Sequence, residues 1–140
     1  MPRIVAARFL RMSEDRQRRA DVDRFILDRI ESVPHLEALL LLWRDRARNW
    51  SAESLSERLW VTADAAKDIL MDLARDRLIT AVPGSDLYQY QSDPDMDRLL
   101  DSLSASYRQD LIGISTMIHS KGSSAVREFA RAFRLKKEQE

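Results

Sequence analysis

The stretch from residue 51 to residue 91 constrains the fold most, because two helical patterns meet there at a tight turn. Leu55 and Leu59 are four residues apart and predict the inward face of a short helix. Thr62 is a preferred N-cap residue and opens a longer helix after the turn. The core-facing positions of this second helix recur at helical spacing: Ala66, Ile69, Leu70 and Leu73. Its outward positions are Asp64, Lys67, Asp68, Met71 and Arg75.

A hairpin signal follows the second helix. Residues 79–82 and 87–91 form two short apolar runs, and the residues between them, Pro83-Gly84-Ser85-Asp86, have turn chemistry. The order helix, turn, helix, hairpin is that of a winged helix. We therefore predict a mainly α fold, a winged helix-turn-helix with a three-helix core and a two-stranded wing. A long C-terminal helix and a terminal basic amphipathic helix complete the prediction.

The segment LSERLWVTADAAKDILMDLARDRLI resembles the winged helix-turn-helix domains of bacterial transcription regulators. The resemblance lies in the spaced leucines, in Val61 and Thr62 at the turn, and in the closing Leu78 before the wing. Trp60 and Arg77 depart from the pattern, since such domains usually carry glycines there to provide a positive φ. These two residues predict a differently shaped turn and helix end. The resemblance implies a two-fold dimer that places one winged helix in each of two major grooves.

Two helices are predicted before this stretch. The first begins at Asp21 and ends near residues 32–34, with one apolar face formed by Val22, Phe25, Ile26 and Ile30. The second runs from His35 to about Arg46, and Pro34 suits its first turn. Residues 39–43 are all apolar, which predicts a helix buried on several faces.

A long helix is predicted after the wing, from Asp93-Pro94-Asp95 to about Ser120. It carries a near-heptad apolar seam: Met96, Leu100, Leu103, Tyr107, Leu111, Ile114 and Ile118. A helix of that length spans on the order of 40 Å, more than the winged domain can cover. Either a second copy of the chain or the chain's own last helix must bury the far end. We predict a homodimer, with the seam residues as its partner-binding residues.

The last predicted helix, from Ala125 to about Glu138, is basic and amphipathic. We interpret it as a dimer-clasping or hairpin helix, in preference to a helix that binds acidic phosphates, a membrane surface or a partner groove. The predicted organisation is a basic N-terminal arm at residues 1–20, a winged helix-turn-helix domain with a preceding helix at 21–91, and a helical dimerisation extension at 92–140. The arm is expected to be solvated or disordered, rather than an arm that binds nucleic acid, and Met12 is an alternative start.

Composition excludes several classes of function. The chain contains no cysteine and only two histidines, His35 and His119, which leaves no histidine metal site in the sequence pattern. Its longest apolar run, residues 36–43 around Glu37, is too short to span a bilayer, and no signal-peptide pattern occurs. No catalytic motif stands in a context that would activate it. We therefore expect a cytoplasmic protein that is not an enzyme and uses no cofactor.

The distribution of charge bears on the choice between a DNA-binding function and a protein-binding function. Residues 51–97 contain ten acids and four bases, a net charge of −6, and the wing at 80–91 contains no Lys or Arg. Because DNA affinity depends mainly on neutralising phosphates, this counts against ordinary docking. The DNA-binding candidates are Arg58, Thr62, Lys67 and Arg75. A DNA-binding regulator is the first prediction, and a protein-interaction module is the alternative. Under the alternative Trp60 is a partner-binding anchor, although a core tryptophan that closes the turn is the simpler interpretation.

Overall fold

The computed structural model describes residues 2–121 of the chain, with side chains from residue 8 onward. The elements, in chain order, are α1 (Pro2–Arg29), α2 (Val33–Arg44), α3 (Ala52–Leu59), α4 (Ala63–Arg75), β1 (Ile79–Ala81), β2 (Tyr88–Tyr90) and α5 (Pro94–Gln109). A further helix, α6, is described over residues 111–121. The predicted last helix at 125–138 lies outside the described residues. Among residues 2–121, no helix combines the length and apolar character needed to cross a membrane.

Polar side chains cap the starts of three helices, and Thr62 does so at the position that the sequence predicts. Ser32 accepts a hydrogen bond from the His35 amide at the start of α2, and Thr62 accepts one from the Ala65 amide at the start of α4. Ser51 forms a reciprocal capping box with Ser54 at the start of α3. Each contact satisfies an amide that would otherwise have no partner in the first helical turn.

Helix α2 lies at the centre of the core. It packs against α3, α4, α5 and the second wing strand. Five of its residues are buried: Leu36, Ala38, Leu39, Leu40 and Leu42. This confirms the prediction of a helix buried on several faces. The predicted face of the first helix, Val22, Phe25, Ile26 and Ile30, is also buried.

The wing is a two-stranded antiparallel sheet in which Ile79 pairs with Tyr90 and Ala81 with Tyr88. Gly84 supplies a positive φ of 73° in the connecting turn. Trp50 extends the sheet by one position, since its amide and carbonyl both bond to Tyr88, at 2.7 and 2.8 Å. The hairpin prediction is therefore confirmed, and the loop before α3 supplies a third, single-residue strand.

The start of the first helix differs from the prediction. Helix α1 begins at Pro2, not at Asp21. After Pro2 the first twenty residues contain neither proline nor glycine, so nothing in them interrupts a helix. Their side chains from residue 8 to residue 18 are all exposed. The predicted helix boundary at Asp21 is therefore wrong.

The long C-terminal helix is also corrected, because it is two helices that meet at Asp110. The backbone there leaves the helical region, with φ −140° and ψ 57°. Asp110 Oδ1 accepts a hydrogen bond from the Gly113 amide at 3.1 Å, and Oδ2 accepts one from Arg19 at 3.0 Å. The Arg19 contact and the Gly113 amide together lower the pKa of the Asp110 carboxyl. Asp110 thus caps α6 and fixes the break.

The predicted seam is covered within a single chain. Its buried members are Leu100, Leu103, Tyr107, Ile114 and Ile118. Met96 is half-buried against the same core, and only Leu111 is exposed. Helix α5 packs on α1 and α2, and Lys121 Nζ donates to the Ile30 carbonyl at the end of α1. Helices α1 and α2 thus cover the α5 part of the seam, and the role of the seam residues in binding a second copy stays a prediction.

Candidate nucleic-acid interface

The outer face of α4 is an exposed surface of the helix-turn-helix unit. Ala66, Ile69, Leu70 and Leu73 are buried, as the periodicity predicts. The opposite face is exposed throughout: Asp64, Lys67, Asp68, Met71 and Arg75. Residues 2–121 leave this face uncovered, so a ligand or partner can reach the whole length of α4.

Trp60 lies at the tight turn between α3 and α4 and points into solvent. Its side chain is 94% exposed, so the interpretation as a core tryptophan is wrong. Its backbone is left-handed, with φ 58° and ψ 40°, and its amide donates to the Ser56 carbonyl. Arg77 likewise has φ 61° after α4. The two positions therefore adopt the conformation that glycine favours, and the expectation of a different turn shape was incorrect.

The four DNA-binding candidates are all on the surface of this unit, in different surroundings. Thr62 caps α4 through its hydroxyl, at 3.1 Å from the Ala65 amide. Lys67 lines a cleft of about 240 Å³ between α4 and the wing, together with Glu53, Asp86 and Tyr88. The cleft therefore contains two acidic side chains beside its lysine.

The two arginine candidates are held by neighbouring side chains. Arg75 is 70% exposed and lies 3.4 Å from the Asp72 carboxylate within α4. Arg58 lies over the Trp50 ring, 5.8 Å from its centroid.

Arg48 is a surface cation that the sequence analysis missed. Its guanidinium lies 4.1 Å from the centroid of the same Trp50 ring. Because Trp50 pairs with Tyr88, both Arg48 and Arg58 stand beside the second wing strand. The sequence shows that Arg48 precedes Trp50 by two residues. This spacing places Arg48 near the wing only because Trp50 pairs with Tyr88, which the sequence does not show. The wing therefore has basic residues beside it, although residues 80–91 themselves contain no Lys or Arg.

A second polar cluster anchors the base of the wing. The Tyr90 hydroxyl donates to the Asp97 carboxylate at 2.6 Å, and Arg46 contacts the same carboxylate at 3.1 Å. Burial and the hydrogen bond to Asp97 raise the pKa of Tyr90. The Tyr90 hydrogen bond in turn lowers the pKa of Asp97. These contacts tie the wing to the first turn of α5, which fixes the position of the wing relative to the core.

Helix α3, the turn at Trp60, helix α4 and the paired strands define a winged helix-turn-helix protein. A comparison with solved structures finds the crystal structure of a multiple antibiotic-resistance repressor (MarR) from Listeria monocytogenes 4b F2365. The two share 14% sequence identity, the match covers 98% of this chain and 97% of that chain, and the TM-score is 0.47. No protein-family model and no curated protein matches the chain. The assignment to the winged-helix class follows from the chain's own elements and their register.

Proposed function

We propose that this protein is a DNA-binding transcription regulator that acts as a dimer through its winged helix. One observation carries the proposal: the outer face of α4 is exposed along its whole length, beside a wing flanked by Arg48 and Arg58. A helix in this setting has the shape that enters a major groove, while the wing and its neighbours reach the backbone. The proposal includes a cytoplasmic location and no catalytic activity.

In this proposal the basic side chains supply affinity for the DNA backbone, and the acidic side chains on α4 contact bases. The cations of this surface that can neutralise phosphates, and so supply most of the affinity for DNA, are Lys67, Arg75, Arg58 and Arg48. Asp64 and Asp68 lie on the same helical face as Lys67 and can accept hydrogen bonds from the amino group of cytosine. With so few cations, we expect binding that is weak at physiological salt and steeply dependent on salt concentration.

The dimer surface in this proposal differs from the buried seam. The exposed apolar residues near the two ends of the described chain are Phe9, Leu10, Met12, Leu111 and Ile112. The α1 side chains from residue 8 to residue 18 are all exposed in the described part of the chain. Exposed apolar side chains that lie close together favour a further packing surface, and Phe9, Leu10 and Met12 are such residues on α1. We assign that surface to a second copy, which would also bring two winged helices onto one DNA duplex.

The second candidate function is a protein-interaction module, and the exposure of Trp60 favours it. A tryptophan that is 94% exposed is the type of residue in which interface energy concentrates. The acidic positions Asp64 and Asp68 follow it on α4 and would suit a basic partner. In this function the same surface binds protein, and DNA affinity stays at the non-specific level.

Footprinting on mixed genomic fragments separates the two functions. A DNA regulator protects defined sequences, and this protection should be lost in Lys67→Ala while persisting in Trp60→Ala. Arg24→Ala provides the matched control, since Arg24 is an exposed cation of α1 outside the winged surface. A protein module gives no defined protection. In that case a protein partner should co-purify with the wild-type chain and should fail to co-purify with Trp60→Ala.

A further inference from the structure

Three metal-ligand side chains meet where the junction between α1 and α2 contacts α4. His35 Nε2 lies 2.9 Å from Asp72 Oδ2 and 3.7 Å from Glu31 Oε2. One ligand atom from each residue lies within 4.8 Å of the others. We propose that Glu31, His35 and Asp72 bind a divalent transition-metal ion of the Zn²⁺ type. Counting histidines alone missed this cluster, because its other two ligands are carboxylates from separate elements.

The histidine ring is held in the orientation that a metal site requires. His35 Nδ1 lies 2.6 Å from the Ser32 hydroxyl, which also caps α2. Ring nitrogens of metal-binding histidines are usually fixed in this way by a second hydrogen bond on the far side of the ring. The contact leaves Nε2 facing the two carboxylates. The His35 side chain is only 13% exposed, so its direction is set by packing as well.

A hydrogen bond explains only part of this arrangement. One Nε2 proton can bond to Asp72 at 2.9 Å, but Glu31 at 3.7 Å is beyond hydrogen-bond distance. The two carboxylates bring a charge of −2, of which the Arg75 cation, 3.4 Å from Asp72, offsets one unit. A divalent ion at Nε2 would instead contact both carboxylates, and its charge of +2 would match their combined charge of −2 without Arg75, which is 70% exposed.

The ligand set also indicates the class of metal. One imidazole with two carboxylates suits Zn²⁺ and its neighbours, and ligand distances of about 2.0 to 2.2 Å are typical. Glu31 is 60% exposed and can move towards the ion, whereas Asp72 is 24% exposed and held by α4. A fourth position would be open to water. Because Asp72 belongs to α4, a bound ion would tie that helix to the start of α2.

Calorimetric titration of the full-length chain with Zn²⁺, repeated with Co²⁺ for its absorption spectrum, tests the proposal. We expect one equivalent to bind and the melting temperature to rise with metal concentration. His35→Gln and Asp72→Asn should each weaken binding at least tenfold. His119→Gln should leave it unchanged, and is the matched control because His119 is exposed and the chain's only other histidine.

Other results would overturn the site. These are absence of binding by the wild-type chain, or binding that His119→Gln abolishes and His35→Gln retains. Since His35 and Asp72 are largely buried, metal-free circular dichroism must show that their variants fold. Glu31→Gln decides the question if they do not, because the exposed Glu31 can be changed without affecting the core. An unchanged Zn²⁺ affinity in Glu31→Gln would refute the three-ligand site.

Discussion

Replacing Trp60 with glycine should stabilise the protein, although it removes the largest side chain at the turn. At 94% exposure the indole has almost no packing to lose. The left-handed backbone, φ 58°, costs a residue with a Cβ about 1 to 2 kcal/mol. Glycine avoids that cost but loses about 0.5 to 1 kcal/mol through its greater freedom in the unfolded chain. The difference predicts a net gain of about 0.5 to 1 kcal/mol for Trp60→Gly.

Urea denaturation measures this difference, with Trp60→Ala as the control. Alanine keeps the Cβ and hence the strain, so its free energy of unfolding should stay within about 0.5 kcal/mol of the wild-type value. Arg77→Gly, at φ 61° just after α4, should show a similar gain. A loss of more than about 1 kcal/mol in both Trp60 variants would mean that the indole packs in the core. A glycine variant less stable than the alanine variant would refute the left-handed turn.

Three further predictions concern the core, the dimer and alkaline stability. Leu70→Ala should lower the free energy of unfolding by about 2 to 5 kcal/mol in urea denaturation, because Leu70 is fully buried, whereas Asp64→Ala on the exposed face should change it little. In sedimentation, Leu111→Asp should convert a dimer to a folded monomer, while Leu103→Asp should unfold the chain; an unchanged dimer in Leu111→Asp would exclude that surface. Burial and a neighbouring carboxylate raise the pKa of Tyr107 to about 12, so its contribution to stability is present below about pH 10 and lost as the pH rises towards 12. Above about pH 10 the melting temperature should depend less on pH in Tyr107→Phe than in the wild type, and an identical dependence would contradict the raised pKa of Tyr107.

Helices whose burial follows a regular period could be predicted from the sequence. In α4 the buried and exposed residues alternate at helical spacing around Ile69 and Leu70, and Thr62 marks the start. Pro83 and Gly84 likewise indicate the wing turn. In each case the deciding interaction is local, so neighbouring residues carry the information.

Features that depend on distant contacts were missed. The pairing of Trp50 with Tyr88 joins residues far apart in the chain, and it alone gives Arg48 a place beside the wing. The break at Asp110 was hidden because the apolar spacing continues across it from Tyr107 to Ile114. An aromatic side chain suggested a buried Trp60, whereas the backbone conformation of the turn directs it outward.

The metal-ligand cluster combines one pair of residues that are close in sequence with a third that is distant. His35 and Glu31 are one helical turn apart in sequence, but Asp72 reaches them only because α4 packs on α2. A sequence pattern cannot supply that third ligand without the fold. Candidate sites of this kind emerge only after the helices are placed.

The most direct test of the central claim is a salt titration of DNA binding. The wild-type chain should bind its protected sequence with an affinity that falls linearly on a logarithmic salt scale. Lys67→Ala should weaken binding and reduce the slope by about one unit, as the loss of one phosphate contact requires. Arg24→Ala, outside the winged surface, should change neither. If wild type and Lys67→Ala instead have identical slopes, and both bind with dissociation constants of about 10⁻⁴ to 10⁻⁶ M whatever the sequence, then the winged surface is not a specific DNA-binding site.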